Sequence, residues 1–302
     1  MSPLSPSRQV AERGATMSIV ERLGYAAGTR ALIVHADDSG MCHGANVATR
    51  DALNSGAVSS TAVMVPCPWF PEFAAMCRER PEWDVGVHLT HTAEWVHYRW
   101  GPVLPASEVP GLVDGEGYLW RDTRSAAERA TPDEIERESR AQIDRAIEFG
   151  IRPTHIDTHM GVMGQSLALA EAYHRLGEEY GLPVTVRGPI TDAIRARVGP
   201  AIAGRIDSGD VPTVLRASGG VDAVELAPRM RGYQDMLRAL EPGVTQITLH
   251  LGTDSEEMDA VMPVHIDRVN DFRTFSDATT RALIEERDIR LVQWRDIGAA
   301  YC

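Results

Sequence analysis

The chain has 302 residues, a formal net charge of −13 at pH 7 and hydrophobic side chains at 43% of its positions. A chain of this length folds as one large α/β domain or two small ones, and either arrangement buries a full core. The chain has a net negative charge and no run of lysine or arginine, so we expect it to bind neither nucleic acid nor an anionic membrane surface. No stretch approaches the roughly 20 apolar residues of a membrane span.

The N-terminal segment 1–29 is predicted to be a leader followed by a short helix. Its first residues are polar and lack the apolar centre of a secretory signal peptide, and the sequence does not decide whether Met1 or Met17 is the start. Ser18-Ile-Val-Glu21 is a capping box that begins a helix, which Gly28 is expected to end.

The cysteines show neither a Cys-x-x-Cys spacing nor the density of a disulfide framework. We therefore expect reduced thiols in a cytoplasmic protein. The cysteines are Cys42, Cys67, Cys77 and Cys302.

From residue 30 onward, short runs of valine, isoleucine and leucine alternate with segments of helical length. Strands are predicted at 31–35, 58–65, 84–89, 153–157, 183–187, 211–215, 244–251 and 289–293. Helices are predicted at 42–55, 69–80, 132–149, 165–180, 189–198, 228–241 and 276–287. This alternation predicts a single domain over 30–302 that folds as an irregular, TIM-barrel-like (β/α) barrel of seven or eight mostly parallel strands.

The segment 91–130 interrupts the alternation as an inserted loop. It carries many ring side chains among glycines and prolines, and a loop of this length inside a compact domain is usually functional. Such rings over the mouth of a barrel can stack against sugars, but they serve equally well to cover apolar surface. They are Trp95, His97, Tyr98, Trp100, Tyr118 and Trp120.

Three clusters of metal-ligand residue types lie at the ends of predicted strands. Extended backbone places every second side chain on one face, so His155, Asp157 and His159 are expected to point together, as a borderline divalent metal requires. Because the C-terminal ends of barrel strands meet at one face, the clusters predict a single site. The clusters are His35 to Asp38, His88 to His91 and His155 to His159, and Arg187, His250 and Trp294 lie at the ends of further strands.

A metal held by two histidines and one aspartate keeps open coordination positions, and it lowers the pKa of a bound water from 15.7 to about 7. The adjacent Asp37 and Asp38 diverge in direction, so one is expected to bind metal while the other accepts a proton. His250, from another strand, is the candidate for protonating the leaving group. The sequence therefore predicts metal-dependent hydrolysis.

These motifs resemble those of the YdjC/ChbG family of carbohydrate deacetylases. The family has an Asp-Asp-Phe-Gly turn, a Gly-(Leu/Met)-His strand and a Pro-Thr-His-x-Asp-Ser-His strand, in this order. The chain has Asp37-Asp-Ser-Gly40, Gly86-Val-His88 and Pro153-Thr-His-Ile-Asp-Thr-His159 at similar spacings. The run Gln246-Ile-Thr-Leu-His-Leu-Gly252 and the closing arginine, helix and strand match as well, so the resemblance covers about residues 30–297.

The resemblance implies an irregular (β/α) barrel that removes the acetyl group from an N-acetylated mono- or oligosaccharide with one divalent metal ion, magnesium or zinc. By motif, the metal ligands would be Asp38, His88 and His159. Asp37 would be the general base acting on metal-bound water, and His250 the acid on the amine. His155 and Asp157 would orient the ligands by hydrogen bonding. The further side chains expected near the substrate are Arg187 and Arg273. A homodimer is compatible with the sequence, which does not fix the oligomeric state.

Two positions depart from the family pattern. Ser39 stands where the family usually has phenylalanine, and Met160-Gly-Val-Met163 stands where further histidines often follow. Because these changes alter the surface expected to face the substrate, a metal-dependent hydrolase of a non-sugar amide or ester is an alternative function.

Two other classes use the same residue types. Two histidines and one carboxylate also hold iron(II) in oxygenases, but the strand–helix alternation disfavours the double-sheet β fold expected of those enzymes. A non-catalytic sugar-binding or structural metal protein needs neither Asp37 nor His250, and both are present.

Overall fold

The computed structural model describes residues 17–184, 186–188, 190–216, 221–262 and 264–301, so most of the predicted leader and Cys302 lie outside the described residues. A parallel sheet of eight strands forms the centre of this part of the chain, with a strand at every predicted position. The strands are β1 (Arg30–Ser39), β2 (Ser60–Val63), β3 (Val85–Leu89), β4 (Ile156–Thr158), β5 (Val186–Gly188), β6 (Thr213–Arg216), β7 (Gly243–His250) and β8 (Ile289–Leu291).

The sheet is not closed among the described residues. Its order is β4-β3-β2-β1-β7-β6-β5, and β8 pairs with the first residues of β1. In the described part of this seam, an isolated parallel bridge between Ile156 and Val184 is the only pairing that joins β4 to the segment before β5. Pro153 and Pro183 precede these two short strands and have no N–H group to extend a ladder. The structure therefore supports an α/β fold with a parallel sheet, whereas the predicted barrel closure is not confirmed.

Helices surround the sheet, and each of the seven predicted after residue 30 is present. Four further helices, which the sequence pattern did not indicate, are Thr123–Arg129, Glu256–Val261, Ile266–Ser276 and Trp294–Tyr301. The N-terminal helix ends at Arg22 rather than near Gly28, because Gly24 already takes a left-handed φ of 84°. The helices are α1 (Ile19–Arg22), α2 (His43–Ser55), α3 (Phe70–Glu79), α4 (Thr123–Arg129), α5 (Pro132–Glu148), α6 (Leu167–Tyr180), α7 (Asp192–Asp207), α8 (Leu226–Arg238), α9 (Glu256–Val261), α10 (Ile266–Ser276), α11 (Ala278–Glu286) and α12 (Trp294–Tyr301).

Alternation along β1 assigns its side chains to two faces of the sheet. Leu32 and Val34 pack in an apolar cluster with residues of α2, α8 and α11. Ala31 and Ile33 pack in a different cluster with residues of β7 and α12. Because successive strand residues alternate, His35 and the aspartate two residues later continue the face of Ala31 and Ile33. The sheet thus carries these polar groups above an apolar core.

The inserted segment 91–130 is anchored to α5. Glu138 of α5 accepts hydrogen bonds from the backbone N–H groups of Val103 and Leu104 at 2.8 and 3.0 Å. Several of its rings pack against the main apolar cluster, so the interpretation that they cover apolar surface holds for them. These rings are Trp95, Tyr98, Trp100 and Trp120.

Of the helices that the structure describes, none combines the length and the apolar composition needed to cross a bilayer. Cys42, Cys67 and Cys77 are buried free thiols.

Candidate metal centre

The end of β1 is bent so that two adjacent aspartates reach the same imidazole. The register between β1 and β2 shifts between Ala36 and Ser39, and Asp38 has a φ of 66°. A bulge with a left-handed residue re-aims a side chain, at a cost of order 1–3 kcal/mol. As a result, Asp38 Oδ1 lies 3.5 Å and Asp37 Oδ2 lies 3.9 Å from Nε2 of His88.

Asp38, His88 and His159 bring three donor atoms together, all within 4.8 Å of one another. Asp38 Oδ1 lies 3.2 Å from Nδ1 of His159, and the two histidine rings meet edge to face with centroids 5.3 Å apart. All three side chains are buried. The residues that the motifs indicate as ligands therefore converge from β1, β3 and the residue that follows β4.

Arg268 of α10 holds the other oxygen of Asp38. Its Nη2 donates to Asp38 Oδ2 at 2.8 Å, and the residue is only 9% exposed. This bond leaves Oδ1 of Asp38 facing the histidines. Arg268 lies in a helix that the sequence pattern did not indicate, so sequence reasoning missed it.

The three converging residues fit a divalent cation. Asp38 Oδ1 is buried and, within the described part of the chain, has no hydrogen bond of good geometry; the imidazole nitrogens of His159 and His88 lie 3.2 and 3.5 Å away. A buried carboxylate oxygen is costly unless a donor or a cation meets it. Two imidazole nitrogens and one carboxylate oxygen form the donor set of catalytic zinc sites, whereas magnesium favours an all-oxygen set with several waters. The arrangement therefore suits zinc or a similar transition-metal ion better than magnesium.

Opposing effects set the protonation of this centre. Burial raises the pKa of Asp38, but Arg268 and His159 outweigh it and hold that pKa well below its ordinary value. Burial lowers the pKa of His159, but the carboxylates of Glu94 and Asp38 raise it to about 10. Asp38 is therefore ionised at neutral pH, and a cation that binds at Nδ1 of His159 has to displace a proton from the ring.

A second group of ligand-type residues, His35, Asp37 and Asp157, lies beside the first. Both ring nitrogens of His35 are already engaged: Nδ1 donates to Asp37 Oδ1 at 2.7 Å, and Nε2 lies 2.9 Å from Nε2 of His155. Since Nδ1 of His35 carries the proton, its Nε2 accepts from His155, whose Nδ1 accepts from the Thr154 hydroxyl at 3.0 Å. Asp37, His35, His155 and Thr154 thus form a hydrogen-bonded chain that orients Asp37, and both ring nitrogens of His35 are used within it.

The imidazoles around Asp37 keep its carboxylate ionised. Burial raises the pKa of Asp37, but the larger combined effect of His88 and His35 lowers it, so the net shift of the pKa is downward. Burial and the neighbouring His35 hold the pKa of His155 well below its ordinary value, so His155 is neutral.

The ring of His155 has close neighbours in α12 and β3. It stacks on Trp294 with centroids 5.2 Å apart. A Cβ at Gly86 would lie 2.4 Å from Nε2 of His155. Position 86 therefore has to be glycine for β3 to pass this close to the ring.

The expectation that His155, Asp157 and His159 share one strand face does not hold for His159. β4 ends at Thr158, and the backbone leaves the extended conformation at His159, since Met160 and Gly161 that follow it take left-handed φ angles of 50° and 72°. Asp157 directs Oδ2 towards Nδ1 of His88 at 4.0 Å. Of this stretch, only His159 belongs to the set of converging donors.

The remaining predicted residues lie at the rim or away from it. His250 ends β7 with its side chain 46% exposed and its Nε2 3.9 Å from Asp38 Oδ2. Arg273 contacts Asn270 and Asp254 through long hydrogen bonds of 3.4 Å, so the structure does not bring it to the centre. Arg187 lies in β5, and its side chain is outside the described part of the chain.

Glu94, at the start of the inserted segment, is a further residue that sequence reasoning missed. Its Oε2 accepts a hydrogen bond from Nε2 of His159 at 3.1 Å. No periodic pattern could have placed Glu94, because it lies in an irregular loop after the strand that carries His88.

The family model described as "YdjC-like protein" matches residues 31–286. Two relatives named carbohydrate deacetylase are similar over nearly their whole length. The protein of Thermus thermophilus is 30% identical over 285 residues, which are 94% of this chain and 99% of the relative. The protein of Brevibacillus brevis is 29% identical over 272 residues, which are 88% and 99% of the two chains.

A solved structure is similar as well. The crystal structure of a proposed cellobiose-phosphate cleavage protein from Enterococcus faecalis V583 superimposes with a TM-score of 0.73 at 25% sequence identity. The match covers 89% of this chain and 99% of that one, so the two share the fold over nearly their full length.

Proposed function

Because the chain belongs to the YdjC-like protein family, we propose that it is a metal-dependent deacetylase that acts on N-acetylated sugars. The observation that carries the proposal is the convergence of three buried ligand atoms, one each from Asp38, His88 and His159, all within 4.8 Å of one another. The relatives named carbohydrate deacetylase support the reaction and the substrate class. In this interpretation the sheet is an irregular barrel with its seam between β4 and β5.

The residues around the centre have separate roles in amide hydrolysis: metal binding, proton acceptance and proton donation. Asp38, His88 and His159 would hold a divalent ion, which would act as a Lewis acid and lower the pKa of a bound water to near neutral pH. Asp37, ionised and oriented by His35 at 2.7 Å, takes the proton of the attacking water. His250, half exposed at the rim, delivers a proton to the nitrogen as the carbon–nitrogen bond breaks. The products are acetate and a free amine.

The α/β fold also bears on the oxygenase alternative. Two histidines and one carboxylate suit iron(II) too, but the parallel sheet is not the double-sheet β fold that we expect for those oxygenases. Turnover that continues under anaerobic conditions is the expected result, and loss of turnover without O₂ would favour the oxygenase.

Metal content is the first test. We expect about one divalent ion per chain by elemental analysis, because three ligand residues with open positions define a single mononuclear site. His88→Ala and His159→Ala should lose the ion and retain the circular-dichroism spectrum of the folded protein. Absence of metal in the wild type, together with activity that is indifferent to chelators, contradicts the proposal.

The substrate class is tested by acetate release from a panel of N-acetylated mono- and oligosaccharides. O-acetyl esters and non-sugar amides serve as matched controls. We expect release from at least one sugar amide, with loss of release after chelation. If a simple amide or ester reacts and no sugar amide does, the result would be compatible with the metal centre but would reject the carbohydrate assignment.

A further inference from the structure

His159 lies between two carboxylates that contact opposite nitrogens of its ring. Nδ1 faces Asp38 Oδ1 at 3.2 Å, on the side where His88 also converges. Nε2 donates to Oε2 of Glu94 at 3.1 Å. The Glu94 side chain is 19% exposed, so this bond is largely shielded from solvent. A neutral ring that presents Nδ1 to a cation carries its proton on Nε2, where Glu94 accepts it.

The backbone that leads to Glu94 is held in place on both sides. Trp120 accepts a hydrogen bond from the N–H of Ala93 at 2.8 Å, and Thr92 accepts one from the Trp100 indole at 2.9 Å. The Thr92 hydroxyl also donates to Sδ of Met160, the residue after His159, at 3.3 Å. These bonds hold the backbone that precedes Glu94 and connect it to the residue that follows His159.

Glu94 stands outside the set of converging donor atoms, which contains only Asp38, His88 and His159 among the described residues around this centre. Its hydrogen bond uses the ring nitrogen that points away from Asp38. A carboxylate in this position raises the basicity of a ligating imidazole and fixes its tautomer and orientation, and the loss of such a partner typically weakens metal binding 10- to 100-fold.

We propose that Glu94 is a positioning residue that holds His159 with Nδ1 towards the metal, so that the inserted segment 91–130 is an integral part of the metal centre. The proposal rests on the proposed function for the presence of a metal, but it concerns metal affinity and needs no sugar. It gives the inserted segment a role apart from covering apolar surface.

The test is titration of metal-free wild type, Glu94→Gln and Glu94→Ala with Zn²⁺ and with Co²⁺, with dissociation constants measured by chelator competition. We expect Glu94→Ala to bind 10- to 100-fold more weakly. Glu94→Gln keeps an amide oxygen that can accept from Nε2, so it should recover part of the loss. The visible spectrum of bound Co²⁺ should keep its band positions in both variants, because the three ligands are unchanged.

Glu128→Gln is the matched control, since Glu128 lies in the same inserted segment with its side chain 61% exposed and, among the described residues, paired to Arg124. It should bind both ions like the wild type. Thermal melts of the metal-free proteins check that each variant is folded.

Equal dissociation constants for wild type and Glu94→Ala would overturn the positioning role. A Co²⁺ spectrum that changes coordination number in Glu94→Ala would overturn it too, because Glu94 would then be a ligand. Weakened metal binding in a protein that releases no acetate from any sugar would support the positioning role and reject the substrate. A wild type that binds neither ion rejects both.

Discussion

At the level of single residues, substitutions of the two adjacent aspartates are expected to have different effects, one on metal binding and the other on kcat. Asp38→Asn should lose the metal, because Oδ1 of Asp38 is the carboxylate oxygen at the centre of the converging donors. Asp37→Asn should keep the metal and lower kcat by ~10²–10⁴-fold, because a general base is removed. Metal content and kcat measured on both variants check the assignment, and the opposite pattern would reverse the two roles.

Arg268 is expected to matter most when no metal is bound. Arg268→Gln removes the only arginine paired with Asp38 among the described residues and leaves His159 as a remaining cationic neighbour, so the loss should be below the roughly 3–5 kcal/mol of a buried charge left without any partner. A divalent cation neutralises the same carboxylate, so the loss should shrink in saturating Zn²⁺. Denaturant unfolding with chelator and with Zn²⁺ measures the difference.

Arg273→Gln provides the control for Arg268, since Arg273 lies on the same helix with its side chain 46% exposed. Its effect on the free energy of unfolding should stay within about 0.5 kcal/mol in both conditions. An Arg268→Gln loss that Zn²⁺ does not reduce would mean that the arginine acts through packing alone.

At the level of elements, the close approach of β3 to the ring at the start of β4 depends on Gly86. In Gly86→Ala the new methyl would lie 2.4 Å from the ring of His155, which is also stacked on Trp294 and hydrogen-bonded to His35. Overpacking of this kind costs about 1–3 kcal/mol. The shifted ring should also disturb the chain that orients Asp37 and lower kcat.

Gly204→Ala in α7 should have the opposite effect on stability, because no described atom outside the local helix backbone lies within 4 Å of a Cβ at that position. It should stabilise the protein by up to about 1 kcal/mol through helix propensity. Thermal unfolding of both variants tests the pair, and a neutral Gly86→Ala would show that the sheet can shift to accommodate the methyl.

For the whole molecule, His91 makes stability depend on pH. Burial lowers the pKa of His91 to about 3 from an ordinary 6.5, and its Nε2–H donates to Ser139 Oγ at 2.9 Å. The unfolded chain takes up the proton first, so this contribution is complete above pH 6.5 and is lost as pH falls towards 3. The slope is about 1.4 kcal/mol per pH unit.

His91→Gln retains a hydrogen-bond donor but cannot be protonated in this range. Its free energy of unfolding, measured in chelator from about pH 6 to pH 4, should fall less steeply than that of the wild type. Parallel slopes would show that other groups dominate the acid sensitivity.

The strands were predictable because each is a short apolar run bounded by glycine, proline or a polar cluster, and such patterns act locally. The helix α10 was not, because its buried face carries Arg268, Asn270 and Asp271 rather than an apolar stripe. Closure of the sheet was overestimated, since the few residues of β4 and β5 and their preceding prolines limit pairing at the seam.

The sequence by itself determined the α/β class, the strand positions, the family and the motif residues Asp38, His88 and His159, because these depend on local pattern and on motif order. Only the tertiary structure decided which atoms converge. The bulge at Asp38, the 3-10 helix that begins at His159 and the arrival of Arg268 and Glu94 depend on packing between residues far apart in the chain. No pattern along one segment encodes those distances.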